Sequence, residues 1–325
     1  MQIRSATTNL KHKEVLEAVG MQKRHLILPV FVQERQEEEE EVQIAMMPGI
    51  TKISLNKVTQ RIHAIVDAGI TSIIMFGIPK KIDERGSSAS SIDGVVQQAL
   101  RKIRKEYGSQ LNVITDVCLC QYNTSGHCGL VNNNKVDNDS TLDLLSKIAL
   151  SHAEAGADIV APSSMMDGQV YSIRKILKRH GFQKTKILSY SVKQLSSLYT
   201  PFRSAAFSKM CKFNVIDKSS YQVSYTNPRQ ILREVETDIG EGADIVMIKP
   251  GITSLDIIYM IKENFDFPIA VQNVSGEYAM IKAAAMHGWI NEEDWKVSSI
   301  ASIKRSGADM IVSYFSVDVS RYLDD

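Results

Sequence analysis

The chain of 325 residues carries 38 Lys+Arg against 37 Asp+Glu, a formal net charge of +1. So balanced a charge offers no field for nucleic acid or an anionic membrane surface and favours small-molecule chemistry. Met1 to Arg24 is charged throughout, and no segment reaches about 18 uncharged apolar residues. Neither a signal peptide nor a membrane span is therefore expected, and the location reads as cytoplasmic.

In chain order, residues 1–24 read as a partly helical N-terminal arm ahead of a single catalytic domain over 25–325. Eight short apolar runs follow, at 26–32, 72–78, 111–119, 157–163, 186–193, 243–250, 268–275 and 308–315. Most are continuous rather than alternating, the pattern of parallel strands covered on both faces. Between them, Val58, Ile62, Ile65 and Val66 recur at helical spacing, as do Val96, Leu100 and Ile103, then Ile231, Val235 and Ile239. One joint recurs four times: Ala-Gly-Ile-Thr (68–71), Ala-Gly-Ala-Asp (155–158), Glu-Gly-Ala-Asp (241–244) and Ser-Gly-Ala-Asp (306–309). Each puts glycine where a helix ends and a strand begins, a place for left-handed backbone. Eight such units predict an α/β (β/α)8 TIM barrel, with a doubly wound open sheet as runner-up. Glu37 to Glu41 reads as a solvated loop, and residues 204–228, after the fifth strand, as a long polar lid at the catalytic end.

In a barrel, chemistry gathers at the C-terminal ends of the strands. At the third, Asp116, Cys118 and Cys120 are spaced to share one strand face, and Cys128 returns after a loop holding Gly126 and His127. Three thiolates suit Zn2+ with one position left open; the alternative is two buried strand cysteines and an incidental third. Lys193 ends the fifth strand and Lys249 the sixth, where Pro250 keeps the preceding residue extended. One lysine at a barrel mouth can be a solvated charge. A pair is different, because burial and a neighbouring ammonium both favour the free amine that forms a Schiff base. Lowering a lysine pKa by about three units costs roughly 4 kcal/mol. Arg203 reads as a carboxylate ligand or a surface charge, Ser275 and Gly276 open a helix that favours an anion, and Tyr314 reads as a strand aromatic. No glycine-rich nucleotide cradle or Walker pattern occurs.

From about residue 25 onward the motifs resemble, in order and spacing, the porphobilinogen synthase (δ-aminolevulinate dehydratase) family. They include DVCLC with GHCG (116–129), SYSVK with TPFR (189–203), SSYQV (219–223), EGADIVMIKP (241–250) and VSGEYAMIKAAA (274–285). The resemblance implies a (β/α)8 barrel with an N-terminal arm, a homo-octamer, and condensation of two 5-aminolevulinate molecules to porphobilinogen. It implies Lys249 and Lys193 as Schiff-base lysines, Asp116 as a proton-transfer group, and Cys118, Cys120 and Cys128 as zinc ligands. It places Ser275 and Tyr314 on one substrate carboxylate and Arg203 and Gln222 on the other, with Lys218 standing for a lid arginine. Glu234 falls where some members bind an allosteric Mg2+. The chain departs from the family pattern at Ser125, Ser164, Gln169, Lys218, Ser219, Gln272 and Asn273. Two other readings stay open at this stage, an aldolase-like enzyme with one Schiff-base lysine and a non-catalytic paralogue.

Overall fold

The computed structural model describes residues 11–34, 41–206 and 217–324. Eight strands match the apolar runs: β1 Leu26–Gln33, β2 Ser72–Ile78, β3 Asn112–Val117, β4 Ile159–Pro162, β5 Lys186–Lys193, β6 Ile245–Lys249, β7 Ile269–Asn273 and β8 Met310–Ser313. Each lies parallel to its neighbour, and β8 closes on β1 through Leu26↔Ile311 and Ile27↔Val312. Closure decides for the barrel over the open sheet. Every position of β1 is buried, which is why its sequence is apolar without alternation.

The three helical patterns form Val58–Asp67, Val95–Tyr107 and Pro228–Glu241. The arm contributes the helix His12–Ala18, whose Leu16 is fully buried. His12 reaches Asp294 at 2.7 Å and Lys13 reaches Asp324 at 2.7 Å. Two short strands absent from the apolar pattern, Glu41–Gln43 and Thr51–Ser54, extend the sheet beside β1. A hairpin, Leu130–Asn132 with Lys135–Asp137, follows β3. The span 204–228 is not loop from its start, since 204–206 complete the helix Thr200–Ala206, with Ala205 and Ala206 buried. The first ten residues of the arm, Glu37 to Glu40 of the acidic run, and residues 207–216 lie outside the described residues. No helix among the described residues is long and apolar enough to cross a membrane.

The four joints share a clasp that their one-letter pattern only partly reveals. Gly69, Gly156, Gly242 and Gly307 all have positive φ, from +78° to +116°. A Cβ at each would press on the stem of a cation from the preceding unit: Lys23, Arg104, Arg174 and Lys262 respectively. In the last three joints the following aspartate accepts a backbone N–H from the first or second residue of the previous strand: Val113 to Asp158 (2.7 Å), Ile187 to Asp244 (2.7 Å) and Ile269 to Asp309 (2.9 Å). The same carboxylates pair with Arg104, Arg174 and Lys262. The clasp thus sews β3 to β4, β5 to β6 and β7 to β8 at the N-terminal rim, leaving the opposite rim free for chemistry.

A Gly156→Ala substitution, forced to φ +106° with its Cβ 2.8 Å from Arg104 Cγ, is expected to destabilise by at least about 1–2 kcal/mol. Gly240→Ala, within a helix and with nothing near its Cβ, is expected to stabilise by up to about 1 kcal/mol. Thermal midpoints of the two variants check both signs.

Candidate active site

The C-terminal rim encloses a cavity lined by Asp116, Cys120, Cys128, Lys193, Arg203, Lys218, Gln222, Lys249, Ser275 and Tyr314. These residues come from five different strand ends, the loop carrying Cys128, the helix carrying Arg203 and the lid, and the fold brings them together. Cys118 sits beside them as the third member of the thiol cluster. Glu234 does not join them. It lines a neighbouring cavity of about 1260 Å³ together with Asp167 and Asn138, and burial, then Asp238 and Asp167, push its carboxyl up to about 7. The free volume within the main cavity is only about 40 Å³, room for a water or two.

Lys193 and Lys249 are register partners at the ends of β5 and β6. Burial, reinforced by the Lys193 charge, brings Lys249 down to about 7. Its Nζ lies over the faces of Tyr190 (4.5 Å to the centroid) and Tyr199 (5.1 Å). Lys193 behaves oppositely: burial pulls it down, but Cys128, Cys118, Cys120 and Asp116 outweigh that and hold it above the usual lysine value. Its Nζ donates to the Ser163 carbonyl and stands 3.8 Å from Cys128 Sγ. Asp116 is pushed up by burial, opposed by the Ser163 hydroxyl and the two lysines. One of its oxygens accepts from Gln121 Nε2 at 3.2 Å, and the other has no hydrogen-bond partner among the described residues.

β3 ends at Val117, so Cys118 and Cys120 are not on the strand, as their two-residue spacing had suggested, but in the turn beyond it. There the chain curls, with Tyr122 N–H bonded to the Leu119 carbonyl at 2.9 Å. The turn rather than strand alternation brings the two sulfurs to 3.4 Å. Cys128 arrives through a loop organised by the buried carboxamide of Asn123, which accepts from Gly126 N–H (2.7 Å) and Ser125 Oγ (3.1 Å) and donates to the His127 carbonyl (3.0 Å). Ser125, a departure from the family pattern, closes this turn. Tyr221 from the lid receives the Cys128 N–H at 3.4 Å and meets His127 Nδ1 at 3.1 Å.

The three sulfurs are buried, unbridged and within 4.8 Å of one another. Tetrahedral thiolate coordination at about 2.3 Å needs sulfurs roughly 3.8 Å apart, so the cluster fits a soft divalent metal. The Cys128 thiol is lowered because its sulfur accepts from the other two thiols and faces Lys193 and Lys218. Lys218 Nζ lies 3.3 Å from Cys128 Sγ, so its charge supports the thiol cluster as well as lining the cavity.

Ser275 opens the helix Ser275–Met286, and its hydroxyl accepts from Phe202 N–H (3.0 Å) and donates to the Leu198 carbonyl (3.2 Å). It thereby ties the helix carrying Arg203 to the end of β7. Gly276 allows this packing, since a Cβ there would meet the Leu198 backbone at 2.5 Å. Tyr314 Oη, Gln222 Oε1 and Gln272 Oε1 are buried without partners among the described residues, leaving polar atoms for a ligand to satisfy.

Sequence reasoning missed Glu277. This fully buried carboxylate accepts from Val274 and Ile252 N–H (each 2.5 Å), Gly251 N–H (3.3 Å) and Asn273 Nδ2 (3.3 Å). It fixes the loops after Lys249 and before Ser275 relative to each other. Its signal was the glutamate three residues past a helix cap. Gln169 spans Pro162 to Met166, Asn273 joins Ser313 to Glu277, and Ser219 turns back on Asp217. Nothing in the structure explains Ser164, whose buried hydroxyl has no partner among the described residues.

A family model described as Delta-aminolevulinic acid dehydratase matches residues 1–322. A protein of that name from Archaeoglobus fulgidus is 47% identical over 300 residues, covering 92% of this chain and 91% of the relative. One from Staphylococcus epidermidis is 44% identical over 314 residues, 96% and 95% of the two chains. The crystal structure of the Toxoplasma gondii delta-aminolevulinic acid dehydratase (porphobilinogen synthase), in complex with its reaction product porphobilinogen, superposes with a TM-score of 0.88 at 35% identity, covering 98% of this chain and 87% of that one. With a barrel of the same shape and close relatives along nearly its whole length, the chain belongs to the delta-aminolevulinic acid dehydratase family.

Proposed function

We propose that this protein is a porphobilinogen synthase, joining two 5-aminolevulinate molecules into porphobilinogen with loss of two waters. The observation that carries the reading is the pairing of Lys193 with Lys249 across adjacent strands, in one cavity with a buried three-thiol cluster.

Lys249, brought down to about 7, offers a neutral amine near neutral pH to the ketone of the first substrate. The Schiff base that follows acidifies the α-carbon and makes the former ketone carbon a better electrophile. Lys193 serves the second substrate in the same way. The thiolate charges that keep it protonated would be offset by a divalent cation on the sulfurs. Asp116, buried beside both lysines, moves protons between the condensing carbons and nitrogens. Ser275 and Tyr314 receive one carboxylate, Arg203, Gln222 and Lys218 the other. Lid closure excludes water from the imines.

Cys118, Cys120 and Cys128 would hold zinc, which when bound supplies Lewis-acid charge favouring the unprotonated amine of the second substrate. Mg2+ is assigned to Glu234, supported by Asp167 in the same cavity. The free thiols support a reducing, cytoplasmic location. A homo-octamer is carried over from the family resemblance, and Trp289 and Met286, each 75% exposed, offer apolar surface for a subunit contact.

Lys249→Ala is expected to lower porphobilinogen formation by about a thousandfold or more, read by a colorimetric assay. Borohydride with 5-aminolevulinate should label Lys249, and full activity in the variant would refute its role. The neutral fraction of Lys249 grows as pH rises through its value near 7. Label formation should therefore climb about tenfold between about pH 6 and pH 8 and then level off, whereas an ordinary lysine would keep climbing. Chelation should abolish turnover and zinc restore it, with Cys128→Ser weakening zinc binding by more than about tenfold.

A further inference from the structure

We propose that the ring faces of Tyr190 and Tyr199 stabilise the protonated Schiff base on Lys249, so that the site favours an iminium over an ammonium. The inference rests on the assignment of Lys249 above.

Tyr190 is fully buried on β5, and its ring centroid is 4.5 Å from Lys249 Nζ. Tyr199, from the turn after β5, brings a second ring to 5.1 Å. Both lie within the range at which a cation is drawn to an aromatic face, and the attraction grows when water is excluded. Tyr199 is fixed in place: its hydroxyl donates to the Gln194 carbonyl at 2.7 Å, with the Lys249 carbonyl 3.3 Å away. The Tyr190 hydroxyl has no hydrogen-bond partner among the described residues, and the contact this side chain makes with Lys249 is through its ring face.

The neutral Nζ adds to the ketone carbon, the carbinolamine takes up one proton and releases one water, and the product is a protonated imine in which the former ketone carbon is doubly bonded to Nζ. An ammonium concentrates its charge on a small group that depends on hydration, which burial removes. The iminium spreads its charge over carbon and nitrogen and depends on water less, so two ring faces replace more of what it has lost. Burial therefore disfavours the resting cation while the rings support the reacting one.

Tyr190 permits a test that keeps size and shape. Tyr190→Phe is the reference, and phenylalanines carrying one, two and three ring fluorines at that position progressively cancel the negative face. The probe is levulinate, a keto acid without the amine, with borohydride reduction and mass spectrometry of the Lys249 peptide. Thermal midpoints are recorded alongside. The equilibrium constant for imine formation, read from the initial rate of labelling against levulinate concentration, is expected to fall stepwise with fluorine number, by about tenfold across the series, equivalent to about 1.4 kcal/mol, with little change in midpoint. A constant value across correctly folded proteins overturns the inference while leaving the Lys249 assignment standing. Absence of label on Lys249 in the unsubstituted protein overturns that assignment and the inference with it.

Discussion

Lys193 and Lys249 end adjacent strands in register, so two amines that would each command a shell of water share one cavity with room for little more than a water or two. Two full positive charges there would be costly, and the surroundings divide their roles. The sulfur cluster and Asp116 hold Lys193 charged, and that charge helps keep Lys249 neutral. The thiols and the buried aspartate act on this division through their charge.

The rest of the barrel keeps that geometry fixed. At the N-terminal rim the aspartate clasps bind strands in pairs. At the C-terminal rim, Glu277 fastens the loop after Lys249 to the one before Ser275, and the Ser275 hydroxyl fastens the helix of Arg203 to both. Asn123 does the same for the Cys128 loop. In each case a side chain takes the place of water at backbone N–H or carbonyl groups, half-exposed aspartates at the N-terminal rim and fully buried residues at the C-terminal rim.

Much of this was legible in the sequence. The eight strands were visible because burial on both faces leaves unbroken apolar runs, and the joints because left-handed backbone demands glycine. The lysines and cysteines were visible because few other residues offer their chemistry, and the family motifs implied the roles proposed for them. The strands at Glu41–Gln43 and Thr51–Ser54 were not, being short, polar and only partly buried. The placement of Cys118 and Cys120 failed because spacing of two carries meaning only while a strand continues, and β3 stops at Val117. Tyr190 and Glu277 were hidden for another reason: a buried tyrosine and a helix-start glutamate have ordinary structural uses, and only the fold shows that one lies under Lys249 and the other joins two loops.

The small free space at the barrel mouth, about 40 Å³, bears on how the molecule could be inhibited. A compound drawn to this shape alone would be small, because the described side chains leave room for little more than a water or two. Under the function proposed above, any larger inhibitor has first to displace the side chains that narrow the rim around the two lysines.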